Sequence, residues 1–237
     1  MRQIILAINA LLKFKAYTLI NVLGLACSLA CVLTVARYIH QENTVNQCFP
    51  EYKRICLIKT STSSGENFLG GYRSGLEKNP DVEQFTVIYQ ISDMPVLFGE
   101  QEIAANAFSV DSTFFKIFPY RVIAGSGRIV RPRDVVITRS FWKKKLGGKN
   151  AIGATFKNTK GNKFTIIGVV DDPDTKTSWM PDIFMSDELD EFLFFDPIYA
   201  MLMAPDTDIA LLNKKYSKEH PRSKWSIMRQ YAISICL

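Results

Sequence analysis

Residues 16–36 read AYTLINVLGLACSLACVLTVA. The run contains no Asp, Glu, Lys or Arg; Lys15 stands just before it and Arg37 just after. At about 1.5 Å per residue, a helix of this length covers the ~30 Å hydrocarbon core of a bilayer. Only Asn21 and a few hydroxyl residues interrupt it, and a Ser or Thr in such a helix bonds a carbonyl one turn back at little cost. The run predicts a membrane helix over residues 16–39. Three rivals compete with that reading. A buried soluble helix is seldom apolar all round for so long. A cleaved signal has an apolar region of about 7–15 residues before a small-residue site, and this run is longer. A lipoprotein signal is poorly matched, because neither Gly24-Leu25-Ala26 before Cys27 nor Ser28-Leu29-Ala30 before Cys31 starts with Leu, and apolar sequence continues past both.

The flanks set the orientation. Arg2, Lys13 and Lys15 precede the run, and no acidic residue comes before Glu42. Positive residues stay on the cytoplasmic side, which places the N-terminus inside and residues 46–237 outside. Within residues 1–15, Ile4, Ile5, Ile8, Leu11 and Leu12 fall on one helical arc and Arg2, Asn9 and Lys13 on the other, predicting an amphipathic helix at the cytoplasmic interface.

The net charge of +6 on 237 residues reads at first as a nucleic-acid signal. Four of the 29 Lys and Arg lie before residue 40, however, and none of the 23 acids do. From residue 40 onward the balance is 25 against 23, so the excess is mostly a topology signal and no nucleic-acid partner is expected. Five cysteines make no disulfide framework. Cys27 and Cys31 act as small apolar residues in the membrane run, a Cys48–Cys56 bridge is left open, and Cys236 has no partner by sequence.

Motifs for chemistry are missing from the sequence. There is no G-x-x-x-x-G-K-[ST], so the chain itself is not expected to bind ATP. Gly147-Gly148-Lys149 reads as a helix end. His40 and His220, the two histidines, have no metal-ligand spacing. No nucleophile motif appears. Asp171, Asp172 and Asp174 lack the spaced oxygens of a Ca²⁺ site and read as a solvated turn. No cofactor, metal or catalytic residue is predicted, and the chain is not expected to be an enzyme.

Beyond residue 50 the sequence alternates short extended runs with turn residues. Strands are predicted over residues 54–59, 82–90, 94–98, 102–108, 135–138, 155–158, 163–170, 182–185 and 197–204. The 155–158 and 163–170 runs flank Lys160-Gly161-Asn162 as a hairpin, and Asp171-Asp172-Pro173 ends the second. Helices are predicted over residues 72–79, 140–146 and from an Asp206 or Thr207 cap to Tyr216. Residues 61–71 read as a loop and residues 191–195 as an apolar turn. The fold class is α+β: one N-terminal transmembrane helix followed by a mixed, mostly stranded domain.

Several stretches, in this order, resemble the MacB/FtsX-like permeases, the membrane subunits of MacB-type ABC transporters. Residues 9–13 with TLINVLGLA (18–26) are similar to the family's interfacial helix and first membrane helix. Tyr52-Lys53-Arg54-Ile55 and Asn79-Pro80-Asp81-Val82-Glu83 resemble the opening of its extracytoplasmic domain. VDSTFFKIF (110–118) with Ala124-Gly125 resembles its most specific signature, in which Asp111, Phe114, Phe115, Phe118 and Gly125 match. Residues 135–138, Ile152-Gly153, and Ile167 through Pro173, including Gly168, Asp172 and Pro173, resemble later steps. Phe114, Phe115 and Phe118 share a helical face, which reads as core packing at a structural corner.

The resemblance implies a MacB-like periplasmic core domain over residues 46–237 and a place in a bacterial inner membrane. It implies a permease subunit that passes ATPase-driven motion to that domain for export. A separate ABC ATPase would be a partner, with a homodimer or paired permease and an outer-membrane channel or adaptor as further partners. The family carries three more membrane helices near its C-terminus, so the chain ending at Leu237 is expected to be a truncated or split product. The alternative reading is a single-span, membrane-anchored extracytoplasmic binding or sensory module.

Overall fold

A computed structural model describes residues 15–62, 65–67, 78–148, 150–186, 197–219 and 225–229. The predicted interfacial helix with Arg2 and Lys13, most of the 72–79 helix, the 191–195 turn, His220 and Cys236 lie outside the described residues. The chain divides into two units, Met1–Thr44 and Val45–Leu237.

The first unit holds α1, Lys15–Asn43, a single 29-residue helix. None of its residues is buried within the protein, and its mean hydropathy reaches 2.3, so it is long and apolar enough to cross a membrane. Its hydroxyls turn inward as expected: Ser28 Oγ donates to Gly24 O and Thr34 Oγ1 to Ala30 O, both at 2.8 Å. The helix runs four residues past the expected 16–39 span, through the polar segment that ends at Asn43. Thr44 closes it, donating from Oγ1 to His40 O at 3.0 Å.

The second unit is built on β1 (Ile55–Thr62), β2 (Gly65–Asn67), β3 (Val82–Phe98), β4 (Gln101–Val110), α2 (Phe114–Ile117), β5 (Val122–Gly125), β6 (Asp134–Thr138), α3 (Arg139–Lys145), β7 (Thr155–Asn158), β8 (Lys163–Val170), β9 (Ile183–Ser186), β10 (Ile198–Met203), α4 (Ile209–Glu219) and β11 (Trp225–Arg229). The described strands form one sheet of eleven, in the order β11-β1-β10-β3-β4-β9-β6-β8-β5. Because β7 pairs with both β3 and β8, the strands β3-β4-β9-β6-β8-β7 close into a ring. Alternate residues point inside it: Val96, Ala105, Ile137, Phe156, Ile166 and Ile183 belong to one buried cluster. The opposite face carries a second core, with Phe108, Val110, Val136 and Phe184 beneath α2 and Trp179. A third core lies on the β1-β10-β11 wing, closed by Leu212 of α4.

The predicted strands at 82–90 and 94–98 are one bent strand. The ladder with β4 shifts register between Ile91 and Met94, Asp93 adopts φ 50°, and its backbone N–H donates to Asn106 Oδ1. A bulge bends a strand while keeping its pairing, so a break in the apolar pattern does not end the strand. The described part of the segment predicted as a 61–71 loop is strand, since β1 runs to Thr62 and pairs with β2. The hairpin is as predicted, with Gly161 at φ 80°. The last helix starts at Ile209 because Asp208, rather than Asp206 or Thr207, accepts the backbone N–H groups of Ala210 and Leu211. Sequence reading missed β5 and β11, both short strands at the sheet ends.

Candidate functional site

No catalytic constellation was expected, so the question is where the domain takes hold of the chain that enters it. Residues 45–49 are the first of the second unit, and three of them are almost wholly buried: Val45, Asn46 and Phe49. Asn46 sits at φ 64°, a left-handed conformation that Asn tolerates better than most residues. Its backbone N–H donates to Lys176 O at 2.9 Å. Its Oδ1 accepts from Thr177 Oγ1 and from Ser178 N, both at 2.8 Å. Thr177 Oγ1 in turn accepts from Trp179 N at 3.1 Å. One side chain thus staples the entering segment to the turn before β9.

Phe49 completes the hold. Its ring lies 5.1 Å from Phe118 and 5.6 Å from Tyr120, edge-on to both. Phe118 continues the stack to Trp179 at 5.0 Å and Phe114 at 4.9 Å, and Phe114 reaches Phe184 of β9 at 5.5 Å. The Tyr120 hydroxyl donates to Trp179 O, and burial pushes its pKa well above the usual phenol value. Burying Phe49 contributes about 1.5–3 kcal/mol; each Asn46 hydrogen bond contributes about 0.5–1.5 kcal/mol net. The apolar anchor therefore outweighs any single polar contact.

Asp111 builds the corner that presents these rings. Its Oδ1 accepts from Thr86 Oγ1 at 2.8 Å, Thr113 N at 2.8 Å and Phe114 N at 3.0 Å, and its Oδ2 accepts from Val87 N at 3.2 Å. It thereby satisfies free N–H groups at the start of α2 and ties that turn to β3. Phe114 and Phe118 are fully buried, while Phe115 is half-buried against the same core.

Of the three acids expected in a solvated turn after β8, Asp174 is exposed, but Asp171 and Asp172 are held by specific partners. The parallel pairing of β6 and β8 places Thr138 beside Val170, so both strand ends meet there. Asp171 consequently accepts from Arg121 Nε at 2.8 Å and from Arg139 Nη2 at 2.9 Å. The Arg121 guanidinium, by its hydrogen bond, holds the Asp171 carboxyl below the usual carboxylate range. Asp172 accepts from Ser140 N at 3.2 Å and Ser140 Oγ at 2.6 Å, joining the first turn of α3. Pro173 follows in the wall of a cavity of about 590 Å³ that is also lined by Cys48, Phe49, Tyr120, Arg121 and Asp174. Burial raises the Cys48 thiol pKa. No disulfide joins Cys48 and Cys56, so the bridge left open by the sequence does not form.

Gly125 and Gly168 lie where β5 meets β8, and Lys15 is the exposed first residue of α1. The structure thus brings Asp111, Phe114, Phe115 and Phe118 together at one corner and Asp172 and Pro173 at the neighbouring cavity. Asn46, Tyr120, Trp179, Arg121 and Arg139 were missed. Asn46 carried a weak signal, an Asn shortly after a helix end; the Arg121–Asp171 pair carried none, being 50 positions apart. Among the described residues no group of three or more His, Cys, Asp or Glu is placed to hold a metal.

These features define an α+β domain that follows an apolar helix in the chain and packs its own first residues, 45–49, into its core. The sequence profile of the MacB-like periplasmic core domain matches residues 18–215, and the chain belongs to that family. Comparison with curated proteins gives no match. Solved structures share the fold. A domain assigned to a permease protein from Porphyromonas gingivalis aligns with TM-score 0.63 at 19% identity, covering 76% of this chain and 92% of that one. The periplasmic region of MacB from Actinobacillus actinomycetemcomitans aligns with TM-score 0.60 at 16% identity, covering 77% and 91%. The extracellular domain of the noncanonic ABC-type transporter YknZ from Gram-positive bacteria aligns with TM-score 0.52 at 13% identity, covering 73% and 99%.

Proposed function

We propose that the chain is a membrane subunit of a MacB-type ABC transport system, passing ATPase-driven motion to its extracytoplasmic domain for export. In this reading α1 crosses a bacterial inner membrane, the residues before it are cytoplasmic with Arg2, Lys13 and Lys15 as the topology signal, and residues 46–237 are periplasmic. ATP is bound by a separate ABC ATPase, and the chain works as a homodimer or with a paired permease; an outer-membrane channel or adaptor is a further partner of the same system.

The observation that carries this reading is the hold on residues 45–49. A segment locked by Asn46 and Phe49 into a close-packed domain moves with that domain as one body, because packed interiors transmit displacement instead of absorbing it.

The test uses native membranes, an antibody against the domain and a lysine- and cysteine-reactive crosslinker set, with the captured adducts identified by mass spectrometry. An ABC ATPase subunit in the adducts is the expected result. Recovery of the chain with no ATPase under conditions that capture known subunit pairs would overturn it. The cavity beside Tyr120 and Asp171 favours the second reading, a membrane-anchored binding module. That reading would come forward if the purified chain bound a small molecule there in the absence of any ATPase.

A further inference from the structure

The cations of the domain are concentrated in one part of its sequence. Residues 112–163 carry thirteen Lys and Arg against one Asp, while residues 46–111 and 164–237 together carry twelve against twenty-one acids. Five of the thirteen meet at one end of the strand ring. Lys157 of β7 lies directly opposite Lys163 of β8 in the hairpin ladder, and Lys160 stands in the turn between them. Arg133, the residue before β6, donates from Nη2 to Asn162 Oδ1 of that turn at 3.5 Å. Arg131 lies in the turn that opens β6: its backbone N–H donates to Asp134 Oδ2 at 3.2 Å, and its carbonyl accepts from Asp134 N at 3.0 Å. All five cations are exposed, and none makes an ion pair among the described residues. Like charges directly opposite on a ladder are destabilising, so this end of the ring lacks a counter-charge.

The chain leaves β9 at the same end. β6 and β9 run antiparallel with Val135 opposite Met185, so Ser186, the last residue of β9, lies level with Asp134. One strand spacing, about 4.8 Å, separates β9 there from the start of β6 and the turn before it. Residues 187–196, outside the described residues, read DELDEFLFFD, with five acids and no Lys or Arg. Residues 187–197 join β9 to β10, and a chain of that length spans at most about 36–40 Å. β8 with Lys163 and β7 with Lys157 lie two and three strands from β9 around the ring, roughly 10–15 Å across. The segment is long enough to reach all five cations and return to Ile198.

We propose that the basic cluster of Arg131, Arg133, Lys157, Lys160 and Lys163 is occupied by the acidic segment 187–196 of the same chain. Charge complementarity selects a segment dense in carboxylates. The tether at Ser186 selects this copy: a joined segment acts at a high effective concentration, which an acidic segment from elsewhere has to match. Single surface ion pairs contribute little, so the contact depends on several charges acting together and weakens as salt screens them. An anionic partner reaches these cations only by displacing the segment.

The test uses the full chain in neutral detergent micelles. Amide hydrogen exchange across residues 187–196 is expected to be threefold or more faster at high salt than at low salt. The same acceleration is expected at low salt in K157E/K163E, two substitutions of exposed side chains. Adding D187K/E188K to that variant is expected to restore slow exchange, which a merely structural defect would not allow. Carbodiimide coupling of a mixture of isotopically light and heavy chains gives an independent reading. Amide bonds from Lys157, Lys160 or Lys163 to acids of 187–196 are expected within one chain. Equal exchange in the wild type and the folded K157E/K163E variant overturns the proposal. Bonds that form only between light and heavy chains overturn it and make a second copy the occupant. Absence of such bonds together with binding to phosphatidylglycerol but not phosphatidylcholine vesicles overturns it and assigns the cluster to an anionic membrane surface.

Discussion

Gly125 and Gly168 face each other across the β5–β8 ladder with no room for a side chain on either. A Cβ on Gly168 would lie 1.7 Å from Ser126 O, and one on Gly125 would lie 2.1 Å from Ile167 O. The Ser126 N–H donates to Ile167 O at 2.8 Å, which holds the two backbones at that approach. Gly125 additionally has φ 69°. These contacts fix where β5, and with it Arg121, meets the end of β8.

Gly168→Ala is therefore expected to cost stability by at least the ~1–3 kcal/mol typical of overpacking, since the obstacle is backbone rather than a movable side chain. Denaturant unfolding of the detergent-solubilised chain, followed by tryptophan fluorescence, measures it. An unchanged midpoint would show that β5 can shift away freely.

Asn46 is tested by a pair of substitutions. Asn46→Gly keeps the left-handed backbone and removes the two bonds accepted by Oδ1, for an expected loss of about 1–3 kcal/mol. Asn46→Ala adds the strain of a Cβ at positive φ, about 1 kcal/mol more. The difference between the variants in a chemical unfolding series separates the staple from the strain; equal stability of Gly and Ala would remove the strain argument.

The aromatic corner gives a graded prediction. Phe114→Ala opens a cavity among Phe118, Tyr120 and Phe184 and is expected to cost about 3–5 kcal/mol. Phe115→Ala removes a half-buried ring and should cost clearly less. Thermal unfolding curves compare them, and the reverse order would mean that Phe115 is the keystone.

The Asp171 pair sets a pH dependence. Its carboxyl is held below the unfolded value of about 3.9 by the hydrogen bond from Arg121. As pH falls through 3.9 the unfolded chain takes up the proton first, so unfolding becomes favoured. The stabilisation is present above that pH and lost as pH falls toward the folded value. Asp171→Asn should flatten the acid limb of stability against pH below about 4 while lowering stability at neutral pH. An acid limb identical in the two proteins would show that other carboxylates govern it.

Cys48 offers a simple chemical check. Burial raises its pKa, so its thiolate fraction at pH 8 is smaller than that of a free thiol. Alkylation by iodoacetamide should be slower than for unfolded chain at the same pH, and an equal rate would mean that the cavity is open to solvent around the sulfur.

The amino-acid sequence by itself determined the elements whose signals are local. The uncharged run of residues 16–36 specified α1, because a helix satisfies its own backbone groups and needs only apolar length to suit a bilayer. The Lys160-Gly161-Asn162 turn specified the β7–β8 hairpin, because only certain residues adopt its positive φ. The order of the signature residues, beginning with Asp111, Phe114, Phe115 and Phe118, pointed to the family. Tertiary structure alone decided the closure of the strand ring through β7, the burial of Asp171 between Arg121 and Arg139, and the staple from Asn46 to Thr177 and Ser178. Each of these joins residues far apart in the chain, and no local pattern records which distant partner will be brought near. That outcome depends on how the sheet pairs as a whole: the same Asp-Asp-Pro run would be a solvated turn on any strand whose neighbours ended elsewhere.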